Sequence, residues 1–508
     1  MQAVIMAGGF GTRLRPITCN SPKPMVPIGN EPMLCHIINL LKQHNFRDLT
    51  MLLYYQPEVI SRYFGDGKNF GVNVNYLRPD GDLGTAGSVK YAQKILKETF
   101  IVISGDVLTD FDLTHALEFH KRKKAMATMV LTRVPNPLQF GVVITDKHGK
   151  IERFLEKPSW GEVFSDSINT GIYILDPKVL DFIPPDKDFD FSKELFPLLL
   201  KENKPLYGYI ADGYWKDIGS HDEYRHAHYD ILDGVVKIET KGKKLKISGN
   251  EITVGENVEI GKDVDVDSNV ILGDNVVIKD GAKISRSVIG ANSVIGTGAE
   301  VVGSILWENV TIGNEARLKE NVIGKGSFVG DRSVVQVGTI VSDWCSIGSD
   351  AVIKTNLRIW PNKVIEAGSI LSSSLVWGEK WNKALFNAIG ITGLANIEIT
   401  PEFAAKIGSA YGAFIGKGAY ILTTRDSHRV SRMVKRGLIS GLLSAGVKVG
   451  DLSNNPIPVA RYEIGNEGEA GGIHVRQSPF DGKVIDIKFF NAKGRDISLK
   501  QEKSIEQL

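Results

Sequence analysis

The stretch Leu272-Gly273-Asp274-Asn275-Val276-Val277-Ile278-Lys279-Asp280-Gly281-Ala282-Lys283-Ile284 sets an apolar residue at every sixth position. The spacing reaches back through Val266 and Ile260 to Val254. After a slip of one residue it continues at Ile289, Ile295 and Val301, resumes at Leu306, Ile312 and Leu318, and runs through Ile323, Val329, Val335, Val341, Ile347 and Ile353. A period of six suits a prism of short parallel strands, each coil covering the open edge of its neighbour. A sandwich would set turn signals roughly 8–12 residues apart instead. A left-handed parallel β-helix is therefore expected over residues 251–371.

Outward from this prism the period changes on both sides. Towards the N-terminus, short apolar runs such as Ala3-Val4-Ile5-Met6 and Phe100-Ile101-Val102-Ile103 alternate with helical stretches such as Met33 to His44. That alternation reads as an α/β, Rossmann-like domain over 1–231 with a largely parallel sheet, whose ligands bind at strand ends. A polar, Lys- and Gly-rich linker fills 232–250. A second linker, 372–382, leads to a further α/β segment, 383–508, expected to be incomplete.

The 508 residues include 61 Lys and Arg against 59 Asp and Glu, so no global field recruits nucleic acid or a membrane surface, and phosphate binding must be local. Cys19, Cys35 and Cys345 show no CxxC spacing, which argues against a disulfide framework or a zinc site and fits reduced thiols in a cytoplasmic protein. The apolar run Ala3 to Ala7 is too short for a signal peptide or membrane span. His221, His226 and His228 lack an open metal-ligand spacing, and no metal is assigned to them.

Gly8-Gly9-Phe10-Gly11-Thr12-Arg13 follows the first expected strand, so backbone N–H groups there can approach a triphosphate without Cβ obstruction. Leu14 stands where a dinucleotide fingerprint needs glycine, and no GxxxxGK[ST] run exists. Arg13, Arg15 and Lys23 bring three cations within a proline-stiffened loop, suited to the charge developing on a pyrophosphate leaving group.

The run Met6 to Pro16, with Pro22-Lys23-Pro24-Met25, resembles the signature of bacterial hexose-1-phosphate nucleotidylyltransferases. Leu83-Gly84-Thr85-Ala86-Gly87 is similar to that family's base-reading loop, Gly105-Asp106 to its metal-binding strand end, and Phe154-Leu155-Glu156-Lys157-Pro158 to its sugar-phosphate motif. Asn169-Thr170-Gly171 and Trp215-Lys216-Asp217-Ile218-Gly219 complete the set. The resemblance implies in-line attack of a sugar phosphate on a nucleoside triphosphate. It gives Gly8, Gly9, Gly11, Thr12, Leu83, Gly84, Thr85 and Gly87 to the nucleotide, and Arg13, Lys23, Asp106 and Asp217 to catalysis. The two aspartates would hold Mg²⁺. Gly141, Glu156, Lys157, Asn169 and Thr170 would line the sugar-phosphate pocket.

Leu385 to Gly393, followed by Thr400-Pro401-Glu402, resembles the opening of the phosphohexomutases, and Ser478 falls at their phosphoserine position. Thr392 stands in place of that family's arginine, and Pro479-Phe480-Asp481 replaces its His-Asn-Pro, so little or no mutase activity is expected. The three-part arrangement resembles proteins described as mannose-1-phosphate guanylyltransferases, which makes GTP and mannose 1-phosphate the first expectation. Glucose 1-phosphate with UTP or ATP is the competitor. A non-catalytic nucleotide-sugar sensor is disfavoured by the intact charged set, and a β-helical acyltransferase by the absence of histidine from Gly255 to Ile353. Homo-oligomerisation through the β-helix or the C-terminal segment is expected.

Overall fold

The strand Gln2–Met6 lies at the centre of a nine-stranded sheet, parallel to Asp48–Leu52 on one side and to Phe100–Ser104 on the other. Its residues Ala3, Val4 and Ile5 are fully buried, because helices such as Met33–Gln43 cover the sheet. The structure is a computed structural model that describes residues 1–79, 81, 83–156, 165–247, 249–267, 269–376, 380–381, 385–387, 389–466, 468–506 and 508. Two compact units form, Met1–Asn362 and Lys363–Leu508. No helix among the described residues is long and apolar enough to cross a membrane.

In the first unit the parallel order expected from the sequence holds for one half of the sheet, where Asn73–Leu77 extends the row beyond Asp48–Leu52. The other half is mixed. Ser167–Leu175 runs antiparallel to Phe100–Ser104, and Gly141–Thr145 with Ile151–Glu156 forms an antiparallel pair at the edge. A tight turn over Asp146 to Lys150, with the Asp146 carboxylate accepting from the His148 and Lys150 amides, lets this hairpin form without a crossover helix.

Beyond the helix His221–Leu232, the hexapeptide positions cycle through three parallel ladders. The first joins Val254, Leu272, Ile289, Leu306, Ile323, Val341 and Ile359. The second runs from Ile260 to Ile347, and the third from Val266 to Ile353. Gly after the inward residue is a steric demand: a Cβ on Gly290 would lie 2.5 Å from the Trp307 backbone of the next coil.

The one-residue slips have a structural cause. Successive residues of the first ladder are 17 apart from Leu272 to Ile323 and 18 apart elsewhere. The shortened corners turn through Arg286, Gly303 and Glu320, all at positive φ. These corners dock the helix His221–Leu232. Tyr229 Oη donates to the Gly303 carbonyl at 2.6 Å, Arg225 donates to the Glu320 carbonyl at 2.8 Å, and Arg286 pairs with Asp233 at 2.6 Å. Beside them Ile271, Val288, Ile305, Val322 and Ile340 point outward from the first ladder into a core shared with Leu14, Ile28, Tyr224 and Ile231. One face of the β-helix is thus covered by its own chain.

The second unit holds a five-stranded sheet in the order Ile391–Leu394, Val484–Asn491, Gly471–Gln477, Tyr420–Arg425, Lys448–Asn454. The helices Pro401–Ile415 and Arg429–Ser444 pack beside it around Tyr411, Leu438 and Phe489. Ser478 follows the central strand, with its amide donating to the Val484 carbonyl at 2.8 Å and its hydroxyl accepting from the Phe480 amide at 3.4 Å.

Candidate active site

The parallel strands of the first unit end at one edge, where the Ala7 amide donates to the Leu52 carbonyl and the Gly105 amide to the Met6 carbonyl. A cleft of about 310 Å³ opens there. Gly8, Gly9, Lys23, Gly84, Thr85 and Asp106 line it, so four separate segments of the sequence meet at the strand ends. Gly8 sits close to its neighbour, where a Cβ would stand a tight 3.2 Å from that of Tyr54. Gly11 takes a positive φ of 61°, and a Cβ there would meet that of Lys23 at 2.9 Å. Thr12 begins a short 3₁₀ turn, Thr12–Leu14, beyond the cleft lining.

At the floor of this edge one ammonium meets two carboxylates. Val107–Thr109 pairs antiparallel with Trp215–Asp217, and the Ile218 amide donates to the Asp106 carbonyl, which sets Asp106 beside Asp217. Lys23 Nζ lies 2.5 Å from Asp106 Oδ2 and 3.6 Å from Asp217 Oδ1. Its side chain is 8% exposed, whereas that of Arg13 is 73% exposed, with its guanidinium 3.8 Å from Asp217 at the rim. Ser104 Oγ donates to Asp106 Oδ1 at 2.6 Å.

The two carboxyls are driven apart in acidity. Burial alone would raise Asp106, but the Lys23 ammonium and the Ser104 hydroxyl outweigh it and hold the group below the usual carboxylate range. Burial and the neighbouring Asp106 charge raise Asp217, against the pull of Lys23 and Arg13. Gly219 keeps the space open, for a Cβ there would lie 2.9 Å from Asp217 Oδ2 and 3.1 Å from an Arg13 nitrogen.

The helix Gly84–Tyr91 begins against the segment Lys187 to Phe191. The Ala86 and Gly87 amides donate to the Phe189 carbonyl, and the Phe189 amide donates to the Leu83 carbonyl. Thr85 Oγ1 donates to Asp190 Oδ2 at 2.8 Å and accepts from the Phe191 amide at 3.0 Å. A Cβ on Gly87 would strike the Lys187 carbonyl at 2.5 Å, so its role in the fold is close packing.

Further along, Glu156 faces Gly141 across the edge hairpin. A Cβ on Gly141 would come within 2.7 Å of the Phe154 ring and 2.8 Å of Glu156 Oε2, so the glycine makes room for both side chains. The Asn169 amide donates to the Tyr173 hydroxyl and Ser192 Oγ, while its carbonyl accepts from the Gly171 amide. Thr170 is buried, and its hydroxyl donates to the Val130 carbonyl at 2.7 Å. Gly141, Glu156, Asn169 and Thr170 are not among the residues lining the cleft. Lys157 lies outside the described residues.

Ser104, Asp190 and Gly219 belong to this geometry; Gly219 was read only as part of the Trp215 to Gly219 motif, and Ser104 and Asp190 were not singled out in the sequence. Ser104 and Gly219 each stand two residues from an aspartate of the pair, which was the available signal. Asp190 offers none, because only tertiary contact brings it to Thr85.

Residues 2–234 match the family model described as nucleotidyl transferase. A protein of Synechocystis named UTP–glucose-1-phosphate uridylyltransferase is 40% identical over 269 residues, which cover 50% of this chain and 68% of that one. This chain belongs to the sugar-1-phosphate nucleotidylyltransferase family. Two other members bear the name expected first. The mannose-1-phosphate guanylyltransferase of Mycobacterium tuberculosis is 33% identical over 261 residues, 50% of this chain and 72% of that one. The mannose-1-phosphate guanyltransferase of Debaryomyces hansenii is 38% identical over 247 residues, 47% and 67%.

The remaining parts match models of their own. Residues 249–353 match that of the EIF2B subunit epsilon LbH domain, and 383–508 that of phosphoglucomutase/phosphomannomutase, alpha/beta/alpha domain I. The resemblances read from the sequence to the nucleotidylyltransferases and the phosphohexomutases are both borne out.

Proposed function

We propose that this member of the sugar-1-phosphate nucleotidylyltransferases joins GTP to mannose 1-phosphate, forming GDP-mannose and pyrophosphate. The observation that carries the chemistry is the buried Lys23 ammonium between Asp106 and Asp217 at the strand ends. The names borne by the Mycobacterium and Debaryomyces relatives support the choice of base and sugar.

An ionised oxygen of the sugar phosphate attacks the α-phosphorus, and pyrophosphate leaves from the opposite side. Gly8 and Gly9 present backbone to the phosphates without Cβ obstruction, while Lys23 and Arg13 meet the charge that grows on the leaving group. The paired carboxylates, set side by side at the strand ends, are a hard-oxygen donor set that fits a divalent cation. Asp106 and Asp217 would hold magnesium, which when bound neutralises charge on the nucleotide phosphates. Leu83, Gly84, Thr85 and Gly87 would receive the base, with Gly11 and Thr12 shaping the phosphate loop. Glu156 and Asn169, set by Gly141 and Thr170, would receive sugar hydroxyls, and Lys157 the sugar phosphate. The small number of cysteines, Cys19, Cys35 and Cys345, and their lack of CxxC spacing support a cytoplasmic setting. Self-association is part of the same reading, and light scattering that returned only monomer would remove it.

The Synechocystis relative favours a second reading, in which UTP and glucose 1-phosphate are the substrates. Pyrophosphate release is to be measured with magnesium for GTP, UTP, ATP and dTTP, each paired with mannose 1-phosphate or glucose 1-phosphate. Preference for GTP with mannose 1-phosphate is expected. Preference for UTP with glucose 1-phosphate would install the second reading, and an Asp106→Ala protein as active as the parent would remove the proposed chemistry.

A further inference from the structure

The β-helix carries a ladder of small buried hydroxyls that serve its own coils. Ser293 Oγ donates to the Trp307 carbonyl, Ser327 to that of Ser342, Ser333 to that of Gly348, and Thr339 to that of Lys354. Ser342 breaks the pattern. It is fully buried, yet its hydroxyl leaves the helix and donates to the carbonyl of Pro16 at 2.8 Å, across a sequence separation of 326 residues.

The next residue repeats the departure. Corner aspartates such as Asp274, Asp280 and Asp331 each accept an amide of the preceding coil. Asp343 does so too, from Lys325 at 3.0 Å, and its second oxygen accepts the Asn20 side-chain amide at 3.2 Å. Adjacent residues of one coil therefore grip both ends of the segment Pro16 to Asn20.

That segment is tied directly to the cleft. Thr18 Oγ1 donates to the Gly11 carbonyl at 2.8 Å, Gly11 abuts the Cβ of Lys23, and only two residues separate Asn20 from Lys23. Lys23 in turn reaches Asp106 and Asp217.

We infer that Ser342 and Asp343 are positioning residues for nucleotidylyl transfer, holding the Gly8–Lys23 loop in register with the paired aspartates from the β-helix side. The inference rests on the proposed role of that loop in binding the nucleotide phosphates. Misplacement of a substrate-holding group by about 1 Å costs up to roughly a hundredfold in rate. A loop released at one of its two fastenings should lose less.

The test compares Ser342→Ala and Asn20→Ala, each releasing one fastening, with Ser293→Ala, which removes an equally buried hydroxyl of the ladder. Asn20 is exposed, so its replacement leaves both cores intact. Steady-state kinetics in varied nucleoside triphosphate and amide hydrogen exchange over residues 8–23 are read for each full-length protein. About a tenfold fall in kcat/KM is expected for Ser342→Ala and for Asn20→Ala, with faster exchange in the loop and partial recovery in Ser342→Thr. Ser293→Ala should lower the melting temperature and leave kcat/KM and loop exchange at parental values. The inference is overturned if Asn20→Ala and Ser342→Ala keep parental kcat/KM, or if Ser293→Ala loses as much. Should the parent turn over none of the eight substrate pairs, the functional reading falls, and unchanged loop exchange in both variants would separately refute the fastening.

Discussion

Lys23 gathers the electrostatics of the site onto one atom, because Asp106 and Asp217 both lean on its ammonium. Lys23→Met is expected to lower kcat by about 10²- to 10³-fold, the usual cost of removing a preorganised charge partner, as read by pyrophosphate release. Gly141→Ala should act differently. The new methyl would meet the Phe154 ring and Glu156 Oε2 and displace the carboxylate, so KM for the sugar phosphate is expected to rise about tenfold with a smaller change in kcat. An equal fall in kcat would show that Glu156 acts in the transition state rather than in binding. At this scale the sequence was legible where motifs are contiguous, as at Gly8 to Arg13 and Trp215 to Gly219. It was mute for Asp190, whose place is set by a hydrogen bond from Thr85 across 105 residues.

Among the elements, the ladder that runs from Val254 to Ile359 differs from the other two in that its outward apolar residues are buried. Its pairs Ile271-Leu272, Val288-Ile289, Ile305-Leu306, Val322-Ile323 and Ile340-Val341 place one side chain inward and one against the helix His221–Leu232. The other ladders more often set a polar or charged residue outward, as in Glu259-Ile260 and Lys283-Ile284. Val288→Asp should therefore cost about 3–5 kcal/mol through an unpaired buried carboxylate. Lys283→Gln, on an exposed outward position, should change stability by less than about 0.5 kcal/mol. Urea unfolding followed by fluorescence compares the two, and equal effects would deny that the covered face is dry. The six-residue period announced the prism but not its covered side, because apolar doublets such as Val277-Ile278 and Val352-Ile353 occur on the other ladders too. The sheet was harder to read, because a buried apolar run looks the same in a parallel or an antiparallel neighbourhood, and only the short turn at Asp146 to Lys150 betrays the hairpin.

For the molecule as a whole, acid is the informative stress. Burial is the main force lowering His120, His221 and His228 in the first unit, each to about 4. Their rings stay neutral in the folded chain, while the unfolded chain takes up protons near pH 6.5. Their contribution is therefore complete above pH 6.5 and is lost as the pH falls towards 4, on the order of 3 kcal/mol for each. Denaturant midpoints should fall between pH 7 and pH 4.5, and His228→Gln should flatten that slope. A midpoint independent of pH over this range would reject the assignment. The bond from Ser342 to the Pro16 carbonyl has a consequence in time as well. On the ribosome, Pro16 emerges 326 residues ahead of the serine that will hold it. At about 5–20 residues per second, translation leaves that carbonyl without its partner for roughly 16–65 s. The nascent enzyme therefore completes its Gly8–Lys23 loop late, after the coils that hold Pro16 and Asn20 have been made.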